Sequence, residues 1–119
     1  MTEQEFKEIL HKEETDTVEF KSWVNARNMK EIISLAVDEL IAFANSKGGT
    51  VYFGVEDNPV VVTGCDRNYD GQRIIEGIYD RTIPPLFTEI SDFEYGGSSL
   101  LQYQLKQMER HIQLRMVDA

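Results

Sequence analysis

The chain has 119 residues, 41% of them hydrophobic and 28% charged, which fits one globular domain with its own core. Acidic residues outnumber basic ones by 21 to 12, and the net charge of −9 excludes nucleic-acid binding over the whole surface. Nucleic-acid binding is then expected only through a local basic patch. Cys65 is the single cysteine, which excludes an intrachain disulfide and a cysteine-based zinc cage and favours a reduced, cytoplasmic protein.

The first predicted elements are a short helix and a strand. Thr2 followed by Glu5 is a capping-box pattern before apolar residues with helical spacing, so we expect a helix over about residues 3–12. The acidic start of the chain predicts no secretory signal. The segment 17–21 alternates and is rich in strand-forming residues, which predicts a strand.

The clearest predicted element is a second helix. Asn28 is a good N-cap, and apolar residues recur at helical spacing up to Ala44. Acidic residues interrupt this stretch, so it predicts no membrane span. We expect Lys47 in the last turn and Gly48-Gly49 as the left-handed cap. The nearly continuous apolar run 50–55 then predicts a central strand.

The remaining elements predict an α+β fold. They are a turn at 57–59 with a returning strand at 60–62, a third helix from about Asp70 to Pro84-Pro85, and a strand over 86–95 joined through Gly96-Gly97 to a partner strand that runs to Leu105. The residues after Leu105 fit a helix and a strand equally well. We therefore expect a single compact domain, a mixed β-sheet packed by about three helices.

Several functional motifs are absent from the sequence. The segment 46–50 lacks the spacing of a phosphate-binding loop and follows a helix end instead of preceding a helix start, so no ATP site is expected. His11 and His111 have no neighbouring ligand pattern and are expected to be surface histidines. Cys65 is expected to be a buried or half-buried thiol.

Acidic residues near two strand ends suggest a site for metal-assisted chemistry. In a strand over 17–21, Glu19 and Lys21 project from one face while Phe20 points to the core. Glu56-Asp57 follows the central strand. Carboxylates brought together suit Mg²⁺ or Mn²⁺, and a lysine beside them complements a phosphodiester. The alternative is that these acids form a solvated face and a turn.

The order of these residues resembles the Schlafen/AlbA-like DNA-binding domain family. The resemblance is carried by Glu14-x4-Glu19-Phe20-Lys21, by the stretch A-F-A-N-S-K-G-G-T running into G-V-E-D over residues 42–57, by Gly64, and by Ile83-Pro84-Pro85. It spans roughly residues 10–95. It implies a compact α+β domain, residues 1–97, that handles DNA or RNA in regulators often described as helicase-related. Residues 98–119 are then a C-terminal extension or part of a truncated domain.

The resemblance also implies a candidate catalytic site. In the RNA-cleaving Schlafen branch, three acids form a metal-dependent endoribonuclease site. Matched by position, these acids are Glu14, Glu19 and Asp57, and Lys21 matches the lysine after the second acid. Mg²⁺ or Mn²⁺ is implied only in this reading. A purely structural role for the same acids is the alternative.

The leading functional prediction is a nucleic-acid-binding module. Its candidate surface is a basic and aromatic cluster made of Lys21, Trp23, Arg27 and Lys30, joined by Lys47. Stacking on tryptophan and contacts with phosphates are the usual mode for single strands. The alternative for Trp23 is a core or rim aromatic.

Two alternative functions stand beside it. One is the metal-dependent endonuclease. The other is a homodimer formed through an apolar stripe at helical spacing, made of Leu101, Leu105, Met108 and Ile112, for which intramolecular packing is the competing explanation.

Overall fold

The computed structural model describes residues 1–26, 28–65, 71–106 and 113–114. Within these residues the chain forms three helices and eight strands. They are α1 (Glu3–Lys12), β1 (Val18–Lys21), α2 (Met29–Ala44), β2 (Gly48–Phe53), β3 (Val55–Glu56), β4 (Val61–Val62), α3 (Gly71–Asp80), β5 (Thr82–Ile83), β6 (Glu89–Tyr95), β7 (Ser98–Lys106) and β8 (Gln113–Leu114).

The main sheet is mixed, as predicted, with the strand order β1-β2-β7-β6. β1 runs parallel to β2, so Lys21 lies beside Phe53, whereas β7 is antiparallel to both β2 and β6. The chain therefore forms an α+β domain. Because β7 lies between β2 and β6, the sheet continues past Gly97, where the sequence places a domain boundary. β3 pairs with β4, and β5 pairs with β8, in two small separate sheets.

The two faces of the main sheet bury two apolar clusters. The first cluster joins α2 and α3 to one face and contains Leu40, Phe43, Val51, Phe53, Ile74, Ile78 and Leu101, among others. The second joins α1 to the other face and contains Phe6, Phe20, Tyr52, Val55 and Leu100. Val51 and Phe53 alternate with Tyr52 along β2, since successive side chains of a strand point to opposite faces. The helices thus cover both faces of the sheet.

Both predicted helix starts are confirmed. The Thr2 side chain accepts a hydrogen bond from the Glu5 amide at 3.1 Å and caps α1. The Asn28 side chain accepts one from the Glu31 amide at 2.9 Å and caps α2. Each bond satisfies an amide that would have no partner inside its helix.

The predicted end of α2 is wrong by three residues. The helix ends at Ala44, and Asn45 follows as its C-cap, with its amide bonded to the Ile41 carbonyl at 3.0 Å. Lys47 is therefore outside the helix. Gly48 has the expected left-handed conformation, with a φ of +79°, but Asn45 caps α2 and the two glycines begin β2. A Cβ on Gly49 would stand 2.6 Å from the Phe43 ring, so glycine is there for close packing.

The predicted strand 50–55 is divided at Gly54. This glycine has a φ of +101°, a backbone conformation that residues other than glycine rarely adopt. The chain turns out of the main sheet there, and Val55–Glu56 pairs with Val61–Val62 in the predicted hairpin.

The second half of the chain follows the predicted order. Helix α3 ends at Asp80, before β5, so the prolines at 84–85 follow a strand instead of ending the helix. Asp70, its expected start, lies outside the described residues. The turn at Gly96-Gly97, with φ values of +56° and +84°, joins β6 to β7 as expected. No helix in the described part of the chain is long and apolar enough to cross a membrane.

Candidate nucleic-acid interface

Some of the candidate residues, among them Lys21 and Trp23, lie where the parallel strands β1 and β2 end. The loop segment over residues 22–26 follows β1, and it is tied to the end of β3. The Ser22 hydroxyl donates to Glu56 Oε1 at 2.7 Å, and Asn25 Nδ2 donates to the same oxygen at 3.3 Å. The Asn25 amide also donates to Ser22 Oγ at 3.2 Å. These bonds fix the loop that carries Trp23.

Lys21 is held by acidic side chains of the protein itself. Its ammonium group lies 3.1 Å from Glu39 Oε1 on α2 and 3.7 Å from Glu19 Oε1 on β1. Burial alone would lower the pKa of Lys21, but the hydrogen bond and charge of Glu39, helped by Glu19 and Glu14, outweigh it and raise the pKa. The lysine charge is thus largely compensated within the domain.

Two of the three candidate acids meet. A hydrogen bond with Glu14 raises the pKa of Asp57 above its ordinary value of 3.8, with smaller contributions from burial and from the Glu14 charge. Glu14 Oε2 also accepts from the Phe20 amide at 3.1 Å. Glu19 instead lies beside Lys21.

These acids do not fit a metal ion as they are arranged. Across residues 1–26, 28–65, 71–106 and 113–114, no three histidine, cysteine or acidic side chains form a group that could hold one. The catalytic role that the resemblance implies for these residues stays a prediction.

Trp23 lies at the rim of the first cluster. Its ring packs edge-on against Phe53, with ring centroids 6.2 Å apart and planes at 87°. It is only half-buried, and the neighbouring Val24 is 60% exposed. Together with Ala26, Thr63, Gly64 and Cys65 they line a shallow groove of about 450 Å³. The loop therefore presents an apolar, aromatic surface to solvent.

The other candidate cations do not share one location. Lys30 is exposed on the first turn of α2 and forms no ion pair with the described residues. Lys47 lies before β2, at the end of the strand opposite to Lys21, about 20 Å away at 3.3 Å per residue. It pairs with Asp16 at 2.7 Å. Arg27 lies outside the described residues. Lys47 therefore does not join Lys21 and Trp23.

Several contacts at this surface were missed by sequence reasoning. Glu39 holds Lys21, and the signal for it was present, because an acid interrupts the apolar stretch of α2 at that position. Ser22, Asn25 and Glu56 fix the loop, but no local pattern connects residues so far apart in sequence.

Cys65 is a half-buried thiol, as expected. It donates a hydrogen bond to the Phe53 carbonyl at 3.2 Å, and burial raises its pKa to about 12. The group is thus a protonated thiol at neutral pH and a poor nucleophile.

Two solved structures share this fold. The DIP2311 protein of Corynebacterium diphtheriae superposes with a TM-score of 0.73 at 20% identity over 92% of this chain, which spans 22% of that protein. The N-terminal domain of an ATP-dependent DNA helicase RecG-related protein from Nitrosomonas europaea gives 0.65 at 16% identity, over 98% of this chain and 80% of that one.

The match to a sequence family is more extensive than the resemblance noted from motifs. The family model described as Schlafen, AlbA_2 matches residues 14–116. This range begins at Glu14, contains every strand of the main sheet, and continues beyond Gly97. The chain therefore belongs to the Schlafen, AlbA_2 family.

Proposed function

We propose that this domain binds single-stranded nucleic acid through the surface formed by Trp23, Val24 and Lys30. The observation that carries the proposal is the position of Trp23, fixed by its packing on Phe53 and open to solvent at the rim. Bases stack on such a ring whatever their sequence. The name of the Nitrosomonas europaea protein, a DNA helicase RecG-related protein, agrees with a nucleic-acid role.

The charges near this surface set the expected strength of binding. Lys30 is exposed and is available to a phosphate. Lys21 is engaged by Glu39 and Glu19, so it adds little to phosphate affinity unless those pairs open. In a protein of net charge −9, stacking must then supply a large share of the binding energy. We expect weak binding that favours single strands over duplexes.

The fluorescence of Trp23 reports this binding directly, because it is the only tryptophan in the chain. Titration with an oligothymidylate at low salt should quench it, and a duplex of equal length should quench it less. With a labelled oligonucleotide, Trp23→Leu should weaken binding about tenfold. Lys30→Glu should weaken it by about fivefold.

Lys47→Glu is the matched control, because it makes the same change in charge at the other end of β2, about 20 Å from Lys21. Circular dichroism checks that each variant is folded. If the oligonucleotide neither changes the tryptophan fluorescence nor shifts the protein in a gel at low salt, the proposal is wrong.

A further inference from the structure

A second surface lies on the other side of the sheet, between α1 and the β3–β4 hairpin. It is a groove of about 490 Å³, within the size range of sites that take ligands or side chains. Its floor is formed by Leu10, Val60, Val62 and Tyr95, which are all half-buried and pack on the second cluster. The floor is thus apolar and rests on a rigid core.

The rim of this groove is basic in an acidic molecule. The side chains that α1 contributes to it are exposed and include Lys7, His11 and Lys12, with Glu8 as the one acid. The other acids of the helix, Glu3 and Glu5, do not line the groove. A positive rim around an apolar floor complements an anionic partner that carries an apolar group.

We propose that this groove binds an acidic peptide segment, with an aliphatic side chain on the floor and carboxylates beside Lys7 and Lys12. The floor favours a peptide over a nucleotide base, because it is mainly aliphatic and its one ring, Tyr95, is already in edge contact with Phe6 at 5.1 Å. A base needs a flat aromatic face for stacking. This site is independent of the proposed nucleic-acid surface, which involves the loop after β1.

The test uses the full chain and a fluorescein-labelled peptide that has a single leucine among glutamates. Anisotropy measures the affinity, and ¹⁵N–¹H spectra should show the largest shifts at amides of α1 and β4. Lys7→Glu and Lys12→Glu should each weaken binding about five- to tenfold, whereas Arg81→Glu, on the opposite layer, should change it by less than about twofold. Replacing the leucine of the peptide by glutamine should abolish the shifts at β4.

Three outcomes would overturn the proposal. One is that the peptide causes no shifts at α1 and β4, or binds equally well when glutamine replaces its glutamates. Another is that an oligothymidylate produces the same shifts and displaces the peptide, which would make the groove a nucleic-acid surface. The third is that the same amides shift with protein concentration when no peptide is present, which would assign the groove to a second copy of the chain.

Discussion

The carboxylate of Glu14 has two neighbours, and they give this acid a structural role that does not depend on catalysis. β1 is an edge strand of the main sheet, and the Phe20 amide points away from β2. Glu14 accepts a hydrogen bond from that amide and so satisfies a donor on the open edge. The same carboxylate raises the pKa of Asp57. Two acids side by side share a proton at low pH and repel each other once both are ionised.

Asp57→Asn should therefore stabilise the domain at neutral pH. The folded-state pKa of Asp57 is raised above 3.8, so its contribution to stability is complete below that value and is lost as the pH rises through the raised pKa. Asparagine keeps a donor for Glu14 at every pH. The difference in unfolding free energy between variant and wild type should grow from about pH 4 upward, as measured by urea unfolding at a series of pH values.

Asp38→Asn is the matched control for this experiment, because it removes the same charge from an exposed position in the middle of α2. Its difference from wild type should show no comparable increase over the same pH range. If both variants gave parallel profiles, the Glu14–Asp57 contact would not affect folding.

At the same scale, the contacts of the acidic residues show what sequence reasoning can and cannot provide. The strand pattern pairs Glu19 with Glu56-Asp57, and only the family resemblance adds Glu14 to that group. Glu39 stands out in the sequence as an acid within the apolar stretch of α2, but its pairing with Lys21 depends on how α2 crosses the sheet. Leu101 belongs to the apolar stripe through which a homodimer could form, but in the structure it is fully buried in the first cluster. Met108 and Ile112 of that stripe lie outside the described residues, as does the side chain of Leu105.

At the scale of elements, the contact between α2 and β2 depends on Gly49, which has no side chain. The Phe43 ring, near the end of α2, occupies the space beside Gly49 at the start of β2. Phe43 is 6% exposed and is held by the rest of the first cluster, so the ring has little room to move. The junction therefore tolerates glycine and resists any larger residue.

Gly49→Ala should destabilise the domain by about 1–3 kcal/mol. The added Cβ would meet three atoms of the Phe43 ring at 2.6–2.7 Å, and this overlap outweighs the small gain from restricting the unfolded chain. The measurement is the urea unfolding midpoint at constant slope. In the background of Phe43→Leu the same substitution should cost clearly less, because the two residues are in contact. Equal costs in both backgrounds would show that the ring is not the obstacle.

The same junction explains which elements were predictable. Helix starts depend on a cap and the next three residues, and the predictions from Thr2 and Asn28 are confirmed. The end of α2 was not predictable, because two glycines after a helix are typical of a cap, whereas here one begins a strand and the other accommodates a ring. The division of the apolar run at Gly54 likewise depends on which strand each half finds as a partner.

For the whole molecule, the excess of acids opposes both folding and the binding of a polyanion. A net charge of −9 makes the compact state repel itself, and it also repels a polyanion. The ion pairs Lys21–Glu39 and Lys47–Asp16 act against this repulsion locally, but Lys47–Asp16 is largely exposed and so contributes little to stability. We therefore expect net repulsion within the folded domain to dominate the response of folding stability to salt.

Raising the salt concentration from about 0.01 M to about 0.15 M shortens the Debye length from about 30 Å to about 8 Å. Unfolding free energy should then rise by on the order of 1 kcal/mol, or about 4 °C in Tm for a domain of this size. Over the same range the affinity for an oligothymidylate should fall, with a slope of log K against log salt of about −1 to −2, since few lysines are available to phosphates.

Thermal unfolding followed by circular dichroism and the fluorescence of Trp23 measure the two effects on the same samples. A fall in Tm would mean that the internal ion pairs outweigh the net charge. An affinity independent of salt would mean that stacking on Trp23 accounts for all of the binding and that Lys30 contributes nothing.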